Sequence, residues 1–180
     1  MNVQKKCEVE KLMDEIFTFA AAVVEEFAVK LVSTDESVRT GGALDLLMAT
    51  DSFRLCKAIG TVSEIDCLRY GANAVNKNNA MSEHGVIISE LVADAEAQPP
   101  VYGGGIQLSC GCYLSFSGFP PEWDQAFCLM IAIRFDLITP SRINSIIEKS
   151  GNPLQARAYL LEVNLFLVGL DISKYKILKT

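Results

Sequence analysis

Tyr102-Gly-Gly-Gly-Ile-Gln-Leu-Ser-Cys-Gly-Cys-Tyr-Leu-Ser-Phe-Ser-Gly-Phe-Pro-Pro-Glu-Trp-Asp124 sets a glycine loop, a strand, a tight turn, a second strand and a sharply started helix in one run. Ile106, Leu108 and Cys110 alternate with Gln107 and Ser109, and Cys112, Leu114 and Phe116 alternate with Tyr113, Ser115 and Ser117. A period of two predicts half-buried strands. Gly111 stands where the turn between them needs a positive φ. Pro120-Pro121-Glu122-Trp123-Asp124 predicts a helix start. Proline loses no hydrogen bond in a first helical turn, and acids there favour the positive end of the helix dipole. This helix is expected to reach about Leu137.

Upstream, Leu12, Ile16, Phe19, Ala20, Val23, Phe27 and Leu31 recur at three- and four-residue steps, predicting one amphipathic helix over Glu8 to Val32. Arg39-Thr-Gly-Gly42 is a turn signal. Ala43 to Ile59 reads as a hairpin, Leu44 to Met48 against Phe53 to Ala58, with a pair of short helices as the rival. Ser63 is an N-cap candidate followed by Glu64 and Asp66. It opens a helix whose apolar stripe is Ile65, Leu68, Ala72 and Val75, ending at Lys77-Asn-Asn-Ala80. Val86 to Val92 reads equally as a strand or a helical turn, and Asp94 to Pro100 as a loop. Downstream, Thr139-Pro140 starts a helix that stops at Ser150-Gly151-Asn152. Pro153 opens another, apolar nearly all round, through about Val168.

The chain has 180 residues, half of them hydrophobic, with a formal net charge of -6, a pI of about 4.8 and a mean hydropathy of +0.25. One domain over 1–180 is expected, its core at about 8–137 and a helical extension at about 139–170. An acidic chain without clustered Lys/Arg argues against nucleic acid or an anionic membrane surface as a partner. No segment has the apolar length of a membrane span, since Glu25 and Glu26 break the best candidate. The start of the chain lacks the order of a secretory signal. The expected location is cytoplasmic, with the six cysteines as reduced thiols. The apolar content points to a homo-oligomer, dimer or larger, built on the apolar C-terminal helix surface.

Candidate chemistry is sparse. Cys110-Gly-Cys112 has neither a second metal-ligand pair nor the C-x-x-C redox spacing, so two small half-buried residues are expected. His84, the one histidine, excludes a His-rich metal site within the chain and is expected in a polar turn. Gly103, Gly104 and Gly105 read either as an anion cradle or as a loop turning beside another backbone. The absent lysine and the strand that follows reject both nucleotide-loop motifs. Glu122 and Asp124 read either as an acid/base pair or as capping residues. The expected pocket lip joins this helix start to the glycine loop. Its ligand-binding candidates are Tyr102, Gly103, Gly104, Gly105, Ser117, Gly118, Glu122 and Asp124, with no catalytic or metal-binding residue assigned.

Gly103-Gly-Gly-Ile-Gln-Leu108, a short turn, and then Leu114-Ser-Phe-Ser-Gly-x-Pro-x-Glu-x-Asp124 resemble the closing part of GlcG/HbpS-like proteins, the haem-binding-protein-like or "haem-degrading domain" family. The upstream order of long helix, hairpin, helix and loop is similar too, so the resemblance spans roughly Leu12 to Leu137. It implies a profilin- or PAS-like α+β fold, a small antiparallel or mixed sheet flanked by helices, together with oligomers and haem or corrinoid binding. The chain departs from the family in its two C-terminal helices and in Thr50-Asp51-Ser52 at the first hairpin, where a glycine turn is usual. No family motif points to His84 as an axial ligand. The functional expectation is a non-enzymatic small-molecule-binding module that self-associates. The alternatives are a ligand-free assembly protein, and a haem- or corrinoid-related protein or enzyme of unknown class.

Overall fold

The structure, a computed structural model, describes residues 3–32, 40–51 and 53–150. Its elements are α1 (Val3–Val32), β1 (Gly41–Met48), β2 (Phe53–Gly60), α2 (Glu64–His84), β3 (Gly105–Gln107), β4 (Tyr113–Ser117), α3 (Pro121–Arg134) and α4 (Pro140–Ser150). The strands form one antiparallel sheet in the order β2-β1-β4-β3. The fold class is α+β, a small antiparallel sheet flanked by helices, as expected. The all-round apolar segment after Pro153 lies outside the described residues.

The sheet has two unlike faces, and strand alternation creates them. On one face, Leu44, Leu46, Leu114 and Phe116 are buried against α1, α3 and α4, which contribute Ile16, Ala20, Phe127, Met130, Ile143 and Ile146 among others. Phe116 packs on Phe127 with ring centroids 4.6 Å apart. Fully burying a side chain of this size is worth about 1.5–3 kcal/mol, so this layer is the main apolar core. The other face carries Asp45 opposite Ser115 and Ala43 opposite Ser117. There α2 covers it, and all five residues of β4 are buried.

Both hairpins form, the first as read. β1 pairs β2 from Gly41–Gly60 to Met48–Phe53, which settles that segment against the rival helices. The Ser63 hydroxyl accepts the Asp66 N–H at 3.1 Å and starts α2 where expected. Other readings need correction. α2 does not stop near Lys77: it runs to His84 and ends on Gly85, whose left-handed φ of 64° closes it. His84 therefore sits in the last helical turn instead of a polar turn. Ile65 and Leu68 are 80% and 72% exposed, so the apolar stripe of α2 points outward. Its buried face is Ala74, Lys77, Asn78 and Met81. The strand before the cysteines is shorter than alternation predicted: β3 ends at Gln107, and Cys110 is an exposed turn residue. Val86–Val92 divides, with Ile88 bridging Ile106 and Ser89–Val92 forming a 3-10 turn. α3 ends at Arg134, three residues before the predicted Leu137. In α1 the buried face includes Met13, Phe17 and Val24, while Leu12 and Phe19 are only half-buried.

Candidate functional site

Ala74, Lys77, Asn78 and Met81 fall on one side of a helix by their spacing of three, one and three. That side meets the polar face of the sheet, and hydrogen bonds join the two. Lys77 Nζ donates to the Phe116 carbonyl at 2.6 Å. Asn78 Nδ2 donates to the Asp45 carbonyl at 2.9 Å and to Asp45 Oδ2 at 2.8 Å. Ser115 Oγ donates to the Ala74 carbonyl at 2.7 Å. Burial pushes the Asp45 carboxyl upward from its usual range, against the opposing pull of Asn78 and Arg54.

The Lys77 ammonium also lies 2.7 Å from Asp124 Oδ2 in the first turn of α3. Asp124 Oδ1 accepts the Phe119 N–H at 2.9 Å and so ties the β4–α3 corner. Both side chains are nearly sealed from solvent. An ion pair this dry survives only when its remaining donors and acceptors are bonded. Gly104 lies against the pair at a φ of 106°, where an added Cβ would overlap Asp124 Cβ. Only glycine lets the backbone pass there.

The glycine loop is spoken for from within. Gly104 N–H donates to Glu90 Oε1 and Gly105 N–H to Ser89 Oγ, each at 2.8 Å. Cys128 Sγ approaches the Gly104 carbonyl at 3.6 Å. Desolvation raises the Glu90 carboxyl, and it pushes the fully enclosed Cys128 thiol well up. Two of the loop's N–H groups are thus committed to internal acceptors and do not converge on an open space. The geometry is that of a loop turning beside other groups.

Beside this buried cluster opens a cleft of about 410 Å³. Arg69, Tyr70, Asn73 and Lys77 of α2 form one wall. Ser117, Gly118, Phe119, Pro120, Pro121 and Asp124 form the other, and Tyr102 stands at the lip. Of the residues proposed from sequence, Tyr102, Ser117, Gly118 and Asp124 line it. Gly103, Gly104 and Gly105 are buried outside its lining, and Glu122 does not reach it. Asp124 and Glu122 are therefore not a facing acid/base pair. Sequence reasoning missed Arg69, Tyr70, Asn73 and Lys77. The signal available was register: Lys77 is one turn from Ala74 and Met81, on the face opposite Ile65 and Leu68.

No histidine, methionine or cysteine borders the cleft, and the Lys77 ammonium is already bonded to Phe116 and Asp124, so the side chains there that could serve a haem as axial ligand are the phenols of Tyr70 and Tyr102. His84 borders a different hollow of about 470 Å³, among Asn76, Asn79, Glu83 and Asp94. Among the described residues no three His, Cys, Asp or Glu side chains converge as metal ligands. No described helix is long and apolar enough to cross a membrane. The chain matches no known family model, no curated protein and no solved structure with which it was compared.

Proposed function

We propose that this protein is a non-enzymatic small-molecule-binding module whose ligand carries an anionic group and a flat ring. The cleft is the observation that supports this reading. Its volume of about 410 Å³ is in the range of small-ligand sites, roughly 300–1,000 Å³. Arg69 supplies the cationic donor that reaches the cleft, held by Asp66 at 2.6 Å, while Lys77 neutralises the one lining carboxylate, Asp124, behind it. Tyr70 and Tyr102 supply ring faces. Ligand-observed NMR with matched aromatic carboxylates, aromatic phosphates and neutral analogues tests it. Anionic members should give signals that vanish in Asn73→Trp, which fills the cleft. Equal signals from neutral analogues, or signals unchanged by Asn73→Trp, overturn the reading.

We propose further that the module self-associates, and we place it in the cytoplasm. Exposed Ile65 and Leu68 on the outer face of α2 favour a contact with a second copy. The apolar segment after Pro153, expected to carry the interface, is outside the described residues. The free state of the described cysteines supports a reducing compartment. We also retain kinship with the GlcG/HbpS-like family as a proposal, supported by the order helix, hairpin, helix, hairpin, helix.

A further inference from the structure

The cleft is graded from mouth to floor. At the mouth, Tyr102 is 39% exposed and the Arg69 side chain 61%. On the floor, Lys77, Ser117, Phe119 and Asp124 are all buried. The two ends therefore offer a ligand different chemistry. Arg69 Nη2 donates to Asp66 Oδ1 at 2.6 Å and to Tyr70 Oη at 3.2 Å. That leaves Nη1 and Nε as charged donors at the mouth.

The floor is charged but closed. Lys77 and Asp124 bind each other at 2.7 Å, and Asp124 also accepts the Phe119 N–H. Their charges cancel, so an ionic group driven down to them would lose its water and find no counter-charge. One polar group on the floor is open. Strand alternation puts Ser117 on the face of β4 that carries Ser115. Ser115 Oγ is spent on the Ala74 carbonyl. Ser117 is 6% exposed, and its hydroxyl has no hydrogen-bond partner among the described residues. Nor is it one of the polar atoms sealed inside without a partner, so the space it meets is the cleft that it lines. A hydroxyl donates and accepts, and a neutral hydroxyl on a ligand pairs with it in both ways.

We propose, resting on the cleft as an anion-and-ring site, that its ligand is a hydroxylated aromatic monocarboxylate. The carboxylate stays at the mouth on Arg69, the ring lies against Tyr70 and Tyr102, and the phenolic hydroxyl reaches the floor and pairs with Ser117 Oγ. One open guanidinium matches one negative charge. A phenol, which titrates near about 10, stays neutral at pH 7 and brings no charge to the floor. Ser117 is the specificity residue. An analogue that fills the floor without a hydroxyl strips the water from Ser117 Oγ and leaves it unpaired.

Isothermal titration calorimetry on the full chain at pH 7 tests this with benzoate, 3-hydroxybenzoate, 4-hydroxybenzoate, terephthalate and phenyl phosphate. One or both hydroxybenzoates should bind about fivefold tighter than benzoate, the worth of one hydrogen bond. Terephthalate should bind more weakly than benzoate, because it carries a second charge to the floor. Ser117→Ala should erase the preference for the hydroxyl. Arg69→Gln should weaken all the anions and keep that preference. Hydroxybenzoates no tighter than benzoate, terephthalate as tight as a hydroxybenzoate, or a preference that survives Ser117→Ala each overturns the assignment and leaves the anion-and-ring reading standing. Silence from all four carboxylates overturns the assignment, and silence from phenyl phosphate as well overturns that reading with it. The wild-type series decides the matter even where Ser117→Ala does not fold.

Discussion

Lys77 Nζ stands 2.7 Å from Asp124 Oδ2, joining the middle of α2 to the first turn of α3 across the backbone of Gly104. The pair is only 1% and 2% exposed, so each charge depends on the other. Lys77→Met should destabilise the fold by about 3–5 kcal/mol, because it strands a buried carboxylate. The double variant Lys77→Met/Asp124→Leu should lose much less than the sum of the two single changes. Urea unfolding of the four proteins measures this, and simple additivity contradicts the pairing.

Gly104→Ala tests the backbone that crosses this pair. The new Cβ meets Asp124 at a φ of 106°, so a loss of more than about 2 kcal/mol is expected. Gly111→Ala, at a φ of 81° but in open space, should cost about 1–2 kcal/mol, because only backbone strain remains. Thermal unfolding of the two variants should rank them in that order.

Asp45 supplies a pH signature. Its carboxyl is raised from the ordinary 3.8 chiefly by burial. The folded protein therefore holds that proton to a higher pH than the unfolded chain does. The resulting stability is full at acid pH below the unfolded value, and it falls as pH rises through the raised folded value. Asp45 Oδ1 is buried without a hydrogen-bond partner. Asp45→Asn should remove the falling limb, and it also removes the 3.3 Å ion pair with Arg54. Calorimetry from acid to neutral pH checks it, and a pH dependence unchanged in the variant contradicts it.

Cys110 should show its thiolate directly. Iodoacetamide modification of Cys110 should climb with pH through a midpoint near about 6, while Cys56, pushed up to about 11, stays slow throughout. A Cys110 midpoint equal to that of a free cysteine in an unfolded peptide contradicts it.

Self-association through α2 predicts that Leu68→Glu lowers the mass measured by light scattering and leaves the melting temperature within a degree or so of the parent, since surface changes usually fall within about 0.5 kcal/mol. An unchanged mass would place any self-contact elsewhere.

Local signals were legible and distant ones were not. Ser63 at the N-cap, Gly111 in the turn and Pro120-Pro121 before α3 each act within a few residues, so their chemistry is readable from the chain. Ile65, Leu68 and Ala72 repeat with a helical period, and the natural reading buries them. Tertiary structure overrides it, because Lys77 and Asn78 find acceptors on the sheet that only folding assembles. Ser115 and Ser117 marked the polar side of β4 correctly, but alternation cannot say whether water or another helix lies on that side. The cleft shared this fate. Tyr102, Ser117, Gly118 and Asp124 border it and were visible as one segment, whereas Arg69, Tyr70 and Asn73 come from a helix far away in sequence.

The polar seating of α2 has a consequence for how the chain chooses among its own arrangements. Oily contacts tolerate a sliding or rotated helix, because apolar surface is interchangeable. The bonds from Lys77 to Phe116, from Asn78 to Asp45 and from Ser115 to Ala74 accept one setting only. Rolling α2 to bury Ile65 and Leu68 would gain apolar burial, but it would leave Asp45 and Asp124 facing hydrocarbon. The helix is keyed like a lock tumbler, and its greasiest residues remain outside because the keyway is polar.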